Sequence, residues 1–360
     1  MSPNRRSTVG AGAPESFCRL IASTTHGLEE LAAEELTRRG HRVVSVRKRQ
    51  ILLASPWLLA SDRPRLVDDL LIQVTETADP GPTKAELERL RSWLTTAELT
   101  PVDFGDGELV FSVSASMAGR RAYNRYDLEA VVGSVLAQRF DARFASRAGG
   151  VRPPADAVEW RAVLSAEGFL LGLRGRRAPL HRRVWKTASI PGTLHPPVAA
   201  AMAQLADLAS RTDQLADTAS GLTVLDPCCG AGTILVEARE LAPRATLIGS
   251  DLDAAALAAS ASNTRHLPDI TFDKADAAEL PLPTGSVDRI VTNPAWGRQV
   301  TARHPFPVLL AEWRRVLAPD GRLVCLVPPE LLRHFGNWDV RQTRQLSLSG
   351  RHPVIVVAAP

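Results

Sequence analysis

Cysteine, lysine and tyrosine are scarce in this sequence of 360 residues, which contains four cysteines, four lysines and two tyrosines. Four cysteines are too few for the framework of a disulfide-stabilised scaffold. Cys228 and Cys229 are adjacent, Cys18 and Cys325 lie far from them, and no pair has the spacing of a zinc half-site. We therefore predict no disulfide scaffold and no bound metal. The 45% hydrophobic and 23% charged content is typical of a globular chain with two or three domains.

A run that could cross a bilayer is also missing. The longest stretch without charge, residues 187–206, contains three prolines and His195, which a transmembrane helix would have to accommodate. Arg5 and Arg6 are followed by neither an apolar run nor a small-residue cleavage site, which argues against a secretory signal. We expect a disordered leader over residues 1–15 and a cytoplasmic, monomeric protein without membrane contact.

The net charge of +4 is unevenly distributed. Residues 119–186 carry 14 cations against six anions, whereas residues 1–118 and 187–360 each carry a net charge of −2. Arginine supplies 39 of the 43 cations, and its guanidinium suits bidentate binding of phosphate. Because a charge run is also typical of a solvated surface, nucleic-acid binding and plain solvation both remain open from charge alone.

The first half of the chain predicts an α+β arrangement. An amphipathic helix over Gly27 to Gly40 lies between short strands, and helical patterns occupy much of Pro56 to Leu94. A further helix is predicted from Tyr126 to Ala142. The predicted strands of this half are residues 17–24, 41–46, 50–54, 109–115, 158–164 and 168–172.

From about Leu222 the pattern changes to short apolar runs that alternate with alanine-rich helices. Strands spaced by helices indicate a parallel, doubly wound sheet, so the fold class is α/β. In such a sheet, ligands bind at the carboxyl ends of the strands.

The first strand of this half ends in a glycine-rich turn, Asp226-Pro-Cys-Cys-Gly230-Ala-Gly232-Thr233. Glycines here let a ligand approach bare backbone at a helix N-terminus. Asp251 closes the next strand, where a carboxylate can accept hydrogen bonds from ribose hydroxyls. A dinucleotide site would need a third small residue where this chain has Leu235, so NAD and FAD fit less well.

This pattern resembles the first motif of the class I S-adenosylmethionine-dependent methyltransferases. The resemblance implies a mostly parallel, seven-stranded Rossmann-like domain. It places Asp226, Gly230 and Gly232 at the methionine end of the cofactor, Asp251 at the ribose and Asp276 at the adenine amine. The full predicted cofactor-binding set is Thr193, Leu194, Asp226, Gly230, Gly232, Thr233, Asp251, Leu252, Asp276, Ala277 and Asn293.

The fourth strand runs into Asn293-Pro294-Ala295-Trp296, next to strand one and the reactive end of the cofactor. The lone pair of an exocyclic amine is delocalised into its ring, and two acceptors for the amine hydrogens direct that lone pair at the methyl group. The Asn293 side-chain oxygen and the Pro294 carbonyl are such acceptors, and Trp296 offers a stacking face. The loop resembles the N-P-P-aromatic signature of enzymes that methylate planar amines, with Ala295 in place of the second proline. We predict Asn293, Pro294 and Trp296 as catalytic residues.

The strings TTHGLEELAAEELTRRG, FSVSASMAGRRAYNRYDLEAVVGSVLAQRF and APLHRRVWKTASIPGTLHPPVAAAM together resemble the THUMP-containing RNA methyltransferases. The resemblance implies a ferredoxin-like domain at 16–56, a THUMP domain at 57–173, a basic linker at 174–192 and a methyltransferase domain at 193–360. The predicted RNA-binding residues are Arg120, Arg121, Arg125, Arg174, Arg176, Arg177, Arg182, Arg183 and Lys186.

Within this group the chain resembles the guanine-N2 methyltransferases that act on the tRNA acceptor stem. Three interpretations remain open: a tRNA enzyme, an rRNA guanine-N2 methyltransferase, and an RNA-binding or assembly factor that lost activity through Ala295. His181 and His195 show no triad partner in the sequence and are given no catalytic role.

Overall fold

The computed structural model describes residues 18–55, 63–100, 109–175, 178–208, 221–267, 269–297 and 303–360. The leader expected over residues 1–15 lies outside these ranges, and so do Arg176 and Arg177. Within these ranges the longest α-helix has 16 residues, and none is long and apolar enough to cross a membrane.

Eight strands of the first half form one sheet. They are β1 (Cys18–Ser23), β2 (Arg42–Arg47), β3 (Gln50–Ser55), β4 (Asp69–Thr77), β5 (Val110–Met117), β6 (Arg143–Phe144), β7 (Val158–Ser165) and β8 (Gly168–Arg174). Their order is β2-β3-β1-β4-β8-β7-β5-β6. The helices of this half are α1 (Glu29–Arg38), α2 (Lys84–Thr96) and α3 (Arg125–Phe140). Capping boxes start α2 at Thr83 and α3 at Asn124, so local sequence fixes both starts.

Strand β4 corrects the prediction that much of Pro56 to Leu94 is helical, because it occupies residues 69–77 of that stretch. Its sequence, DLLIQVTET, is almost continuously apolar at first and so carries no clear period. It pairs antiparallel with β1 on one side and with β8 on the other. The sheet is therefore continuous across the predicted boundary between residues 56 and 57.

Seven strands of the second half form the predicted doubly wound sheet. They are β9 (Thr223–Asp226), β10 (Thr246–Asp251), β11 (Ile270–Lys274), β12 (Val287–Thr292), β13 (Leu317–Val327), β14 (Asp339–Gln345) and β15 (Val354–Ala359). Their order is β11-β10-β9-β12-β13-β15-β14, and all pairs are parallel except those of β15. The helices are α4 (Pro196–Leu205), α5 (Thr233–Leu241), α6 (Ala254–Thr264) and α7 (Phe306–Val316). The strand order reverses at β9: the chain continues to β10 and β11 on one side and then returns to β12 on the other. The carboxyl ends of β9 and β12 therefore flank the topological switch point of the sheet.

The two halves share a hydrophobic core. Leu20 of β1 and Leu36 of α1 belong to the same buried cluster as Val198 of α4 and Leu235 of α5. A buried ion pair reinforces this contact, because Glu237 of α5, which is 0% exposed, accepts hydrogen bonds from Arg65 Nε (2.6 Å) and Arg183 Nε (2.9 Å). The N-terminal sheet is thereby fixed beside the doubly wound sheet.

Candidate active site

The glycine-rich turn joins β9 to α5. Asp226, the last residue of β9, is 1% exposed, and its carboxylate accepts the N–H of Cys228 at 3.2 Å. Gly230 and Gly232 have φ angles of +51° and +74°, a left-handed backbone that favours glycine. Helix α5 begins directly afterwards at Thr233, so its unpaired N–H groups and positive dipole end follow the turn.

Burial raises the pKa of three side chains in this turn, Asp226, Cys228 and Cys229. It raises the pKa of Asp226 to about 7, and the nearby Asp251 carboxylate adds to the shift. Burial also raises the pKa of the Cys228 and Cys229 thiols, which keeps both protonated. A protonated thiol is a weak nucleophile, so neither cysteine is suited to attack a substrate carbon.

Asp251 connects the glycine-rich turn with the turn that follows β10. It ends β10, and its Oδ2 accepts the N–H of Gly230 at 3.0 Å, while Oδ1 accepts the N–H of Asp253 at 3.0 Å. Each carboxylate oxygen has a further lone pair, which leaves capacity for hydroxyl donors from a ligand. The side chains of Asp251 and Leu252 are only partly exposed.

Asp276 follows β11 and has partners that the sequence did not indicate. Its Oδ1 accepts the N–H of Ala278 at 3.0 Å, and its Oδ2 lies 2.8 Å from His304 Nε2, with Arg303 Nε at 3.8 Å. Burial would raise the pKa of Asp276, but these hydrogen bonds and nearby cations outweigh it and lower the pKa. Ala277 beside it is buried, and its carbonyl accepts the indole N–H of Trp313 at 3.1 Å.

The Asn293 loop begins where β12 ends, beside the glycine-rich turn. Residues of β12 pair directly with β9, which places the two strand ends together. Asn293 Oδ1 is buried and accepts no hydrogen bond within the described part of the chain. Pro294 is buried, and the indole N–H of Trp296 donates to the Leu326 carbonyl at 3.1 Å. The Trp296 ring is thus fixed at the edge of the sheet, and an unsatisfied acceptor lies next to it.

The segment before α4 forms a second wall. Thr193 Oγ1 donates to the Ile190 carbonyl at 2.6 Å and accepts the Ile190 N–H at 2.9 Å, which closes a tight turn. Lys186 is half-buried and donates to the Leu194 carbonyl at 3.3 Å. Burial lowers the pKa of this lysine, whose ammonium supports the turn.

All these segments border one cleft of about 1060 Å³. Of the predicted catalytic and cofactor-binding residues, those that border it are Thr193, Leu194, Asp226, Gly230, Thr233, Asp251, Leu252, Asp276, Ala277, Asn293, Pro294 and Trp296. Gly232 does not border the cleft. It packs against α6, where a Cβ at residue 232 would meet Ser260 at 3.1 Å. The N-terminal half contributes Thr25, Arg49 and Asp68 to the cleft wall. The volume exceeds the range of about 300–1,000 Å³ typical of pockets for one small ligand.

His195 has the carboxylate partner that the sequence could not reveal. Its Nε2 lies 2.5 Å from Asp68 Oδ1, and both residues border the cleft. Asp68 belongs to the N-terminal half, whereas His195 precedes α4. The pair links the two halves at the cleft, and its members are too far apart in sequence for any local pattern to show it.

Three of the predicted RNA-binding arginines lie in ion pairs. Arg174, with a side chain 6% exposed, binds Asp69 Oδ2 through Nη2 at 2.5 Å and also contacts Glu159. Arg121 Nη2 binds Asp79 Oδ2 at 2.7 Å, and this contact and its hydrogen bonds lower the pKa of Asp79. Arg183 is held by Glu237, as described above. All three side chains thus form ion pairs within the fold, and their predicted role in RNA binding stays a prediction.

Three of the remaining predicted RNA-binding cations lie at the surface, whereas Lys186 is half-buried as described above. Arg120, Arg125 and Arg182 are exposed. The Arg125 guanidinium lies over the Tyr126 ring, 4.7 Å from its centroid, and donates to the Tyr126 hydroxyl at 2.7 Å. This cation–π pair presents a charged, flat surface to solvent.

The fold and cleft define a class I methyltransferase, and comparison with known proteins gives the family. The family described as UPF0020, RMKL-like, methyltransferase domain, matches residues 183–344. A tRNA (guanine(6)-N2)-methyltransferase of Thermus thermophilus is 30% identical over 361 residues, covering 94% of this chain and 98% of that protein. This chain belongs to the family of RNA guanine-N2 methyltransferases that includes the Thermus protein.

Further relatives agree with this assignment. The crystal structure of TrmN from Thermus thermophilus has a TM-score of 0.73 and 28% identity, and the match covers 95% of this chain and 99% of that one. A mouse U6 snRNA (guanine-N(2))-methyltransferase, THUMPD2, is 28% identical over 310 residues. The match covers 84% of this chain but only 54% of the mouse protein. The predicted family, α/β fold class, methyltransferase activity and S-adenosylmethionine cofactor are confirmed.

Proposed function

We propose that this chain transfers a methyl group from S-adenosylmethionine to the exocyclic N2 amine of a guanine in tRNA. The observation that carries the proposal is the Asn293 Oδ1 atom, which is buried at the switch point of the sheet and accepts no hydrogen bond from the residues that the structure describes. A buried acceptor without a donor is costly unless a ligand supplies one. An amine hydrogen of the target base is such a donor.

The residues of the cleft suit the cofactor and the chemistry. S-adenosylmethionine supplies an electrophilic methyl group on its sulfonium. The Asn293 oxygen and the Pro294 carbonyl would each accept one amine hydrogen, which directs the nitrogen lone pair at that methyl group. Trp296, pinned through its N–H, would stack on the guanine after it leaves the helix.

The cofactor itself would extend along the carboxyl ends of β9, β10 and β11. Asp226 and Gly230 would hold the methionine end, with Gly232 and Thr233 shaping the turn beneath it. The free lone pairs of Asp251 would accept the ribose hydroxyls beside Leu252. Asp276 and Ala277 would border the adenine, provided that the ligand shares or displaces the His304 contact. Thr193 and Leu194 would cover the cofactor from the second wall.

The proposed RNA surface extends from the cleft over the N-terminal half. We assign residues 16–56 to a ferredoxin-like domain and 57–173 to a THUMP domain joined through one sheet, followed by the linker 174–192 and the methyltransferase domain 193–360. Arg120, Arg125 and Arg182 supply exposed cations for phosphates, which give affinity without reading sequence. The protein would act as a monomer, and its four free cysteines suit a reducing compartment such as the cytosol.

The named relatives favour tRNA over other RNAs as the substrate. The Thermus relative, named for tRNA, matches nearly end to end, whereas the mouse relative named for U6 snRNA is matched over about half its length. An rRNA substrate shares the same amine chemistry. The inactive alternative is disfavoured because Asn293, Pro294 and Trp296 all border the cleft although Ala295 replaces a proline.

The proposal is tested by incubating the purified protein with S-adenosylmethionine, labelled in the methyl group, and unmodified tRNA, rRNA or U6 snRNA transcripts. We expect label in tRNA. Label confined to rRNA or U6 snRNA would reassign the substrate. No label in any RNA, despite measurable cofactor and tRNA binding, would favour the inactive RNA-binding alternative.

A further inference from the structure

Two arginines from distant parts of the chain meet at one edge of the active-site cleft. Arg49 lies in the turn between β2 and β3, and Arg351 lies in the hairpin between β14 and β15; both border the cleft. Arg49 Nη2 donates to Ser347 Oγ at 3.0 Å. Leu348, next to Ser347, pairs with Arg351 through two backbone hydrogen bonds of 2.9 Å. The two guanidiniums therefore extend from adjoining hairpins.

The backbone at Arg49 is held in an unfavourable conformation. Its φ angle is +64°, in the left-handed region that glycine or asparagine normally occupies. The Glu29 carboxylate accepts the Arg49 N–H at 2.9 Å, and the Arg49 carbonyl accepts the Thr24 N–H at 3.0 Å, so the turn is firmly held. A strained residue maintained by its surroundings is a mark of function.

Neither guanidinium has an acidic partner among the residues that the structure describes. Within the described ranges, no carboxylate forms an ion pair with the side chain of Arg49 or Arg351, in contrast to Arg121, Arg174 and Arg183. Glu29 contacts the Arg49 backbone rather than its guanidinium. Two arginines that border a cleft without an ion pair to a described carboxylate are suited to an anion, because a guanidinium can bind phosphate oxygens in bidentate fashion.

We propose that Arg49 and Arg351 form a phosphate-binding site for the RNA backbone beside the methylated nucleotide. The inference rests on the proposed function, since the anion is taken to be part of the substrate. A guanine that leaves its stack needs its flanking phosphates held while it occupies the cleft. Because one arginine comes from the N-terminal half and the other from the C-terminal hairpin, the bound strand would lie across the junction of the two halves.

The test compares Arg49→Gly, Arg351→Gln and the control Arg265→Gln with the wild-type chain. Arg265 is exposed at the end of α6, roughly 15 Å along the helix from the end that borders the cleft. Binding of a tRNA transcript is measured over a range of salt concentrations, together with binding of S-adenosylhomocysteine and the melting temperature. Binding is the readout, so the site is tested even if transfer to RNA fails.

We expect each cleft variant to weaken tRNA binding about tenfold and to reduce the salt slope by about one, with unchanged binding of S-adenosylhomocysteine. Arg49→Gly should also keep or raise the melting temperature, because glycine relieves the left-handed strain. Affinity and slope equal to those of the wild type and the control would overturn the site. A fall in melting temperature that accompanies the lost affinity would also overturn it, by showing a structural role. Failure of transfer in the wild type, with tRNA affinity still dependent on both arginines, would overturn the proposed function alone.

Discussion

At the residue scale, the proposed reaction depends on one oxygen atom without a hydrogen-bond donor. Asn293 Oδ1 is buried beside Pro294 and the pinned ring of Trp296. Preorganised acceptors of this kind lower the barrier because they need no rearrangement during the reaction.

Replacement of Asn293 by Ala should therefore reduce kcat by about 10²-fold or more, a loss typical of removing one positioned hydrogen-bonding group. Affinity for S-adenosylhomocysteine and for tRNA should change little, since other residues hold both ligands. Single-turnover transfer assays and binding titrations measure these quantities. Undiminished transfer by the variant would remove Asn293 from the mechanism.

A second prediction at this scale concerns Asp226, whose pKa is raised by burial to about 7. The unfolded carboxyl titrates near 4, so between about pH 4 and 7 the folded state holds a proton that the unfolded state has lost. This contribution to stability is complete below about pH 4 and decreases by up to about 1.4 kcal/mol per pH unit as pH rises to about 7.

Asp226→Asn removes this titration. The free energy of unfolding of the wild-type protein, relative to that of the variant, should therefore fall as pH rises from 4 to 7 in the absence of cofactor. Denaturant unfolding at several pH values gives the difference. An identical pH dependence in both proteins would show that the pKa of Asp226 is the same in the folded and the unfolded state, which would contradict the prediction.

At the element scale, strand ends account for what the sequence could predict. Asp226, Asp251 and Asn293 all follow short apolar strands, and turn glycines mark the βα junction, so local patterns and the family resemblance were enough to bring them to one cleft. Strand β4 was missed because its apolar run has no clear period, and pairing with β1 and β8 decides its conformation. Tertiary pairing of this kind leaves no local trace.

The roles of the arginines show the same limit. Arg174 finds Asp69, and Arg183 finds Glu237, through contacts between distant segments. From composition alone, both arginines would be expected at the surface. In the structure their side chains are 6% and 8% exposed. Charge clustering alone therefore could not separate exposed arginines from those whose side chains are buried in ion pairs.

Helix α5 offers a test of the contact between the halves. Glu237→Gln removes a buried carboxylate that binds Arg65 and Arg183, and breaking such a pair should destabilise the protein by about 3–5 kcal/mol. Glu240→Gln on the same helix is the matched control, because Glu240 is 45% exposed and its contact with Arg65 should contribute about 0–1 kcal/mol. Denaturant unfolding measures both values. Equal effects of the two substitutions would contradict a stabilising role for the buried pair.

At the scale of the whole molecule, the cleft belongs to both halves of the chain. Asp68 from the first half binds His195 from the second, and Arg49 reaches Ser347 across the junction. The N-terminal half thus supplies part of the cleft wall through Thr25, Arg49 and Asp68, and under the proposed function it would also contact the RNA. A cleft with walls from both halves gives a long RNA substrate, as proposed above, contacts on both of them.

The most direct test of this account is to identify the methylated atom. tRNA incubated with the protein and S-adenosylmethionine carrying a deuterated methyl group is digested to nucleosides and analysed by mass spectrometry against standards. We predict deuterated N2-methylguanosine from the wild-type protein and almost none from Asn293→Ala. A deuterated methyl group found instead on a ring carbon, on a ribose oxygen or on another base would contradict the account.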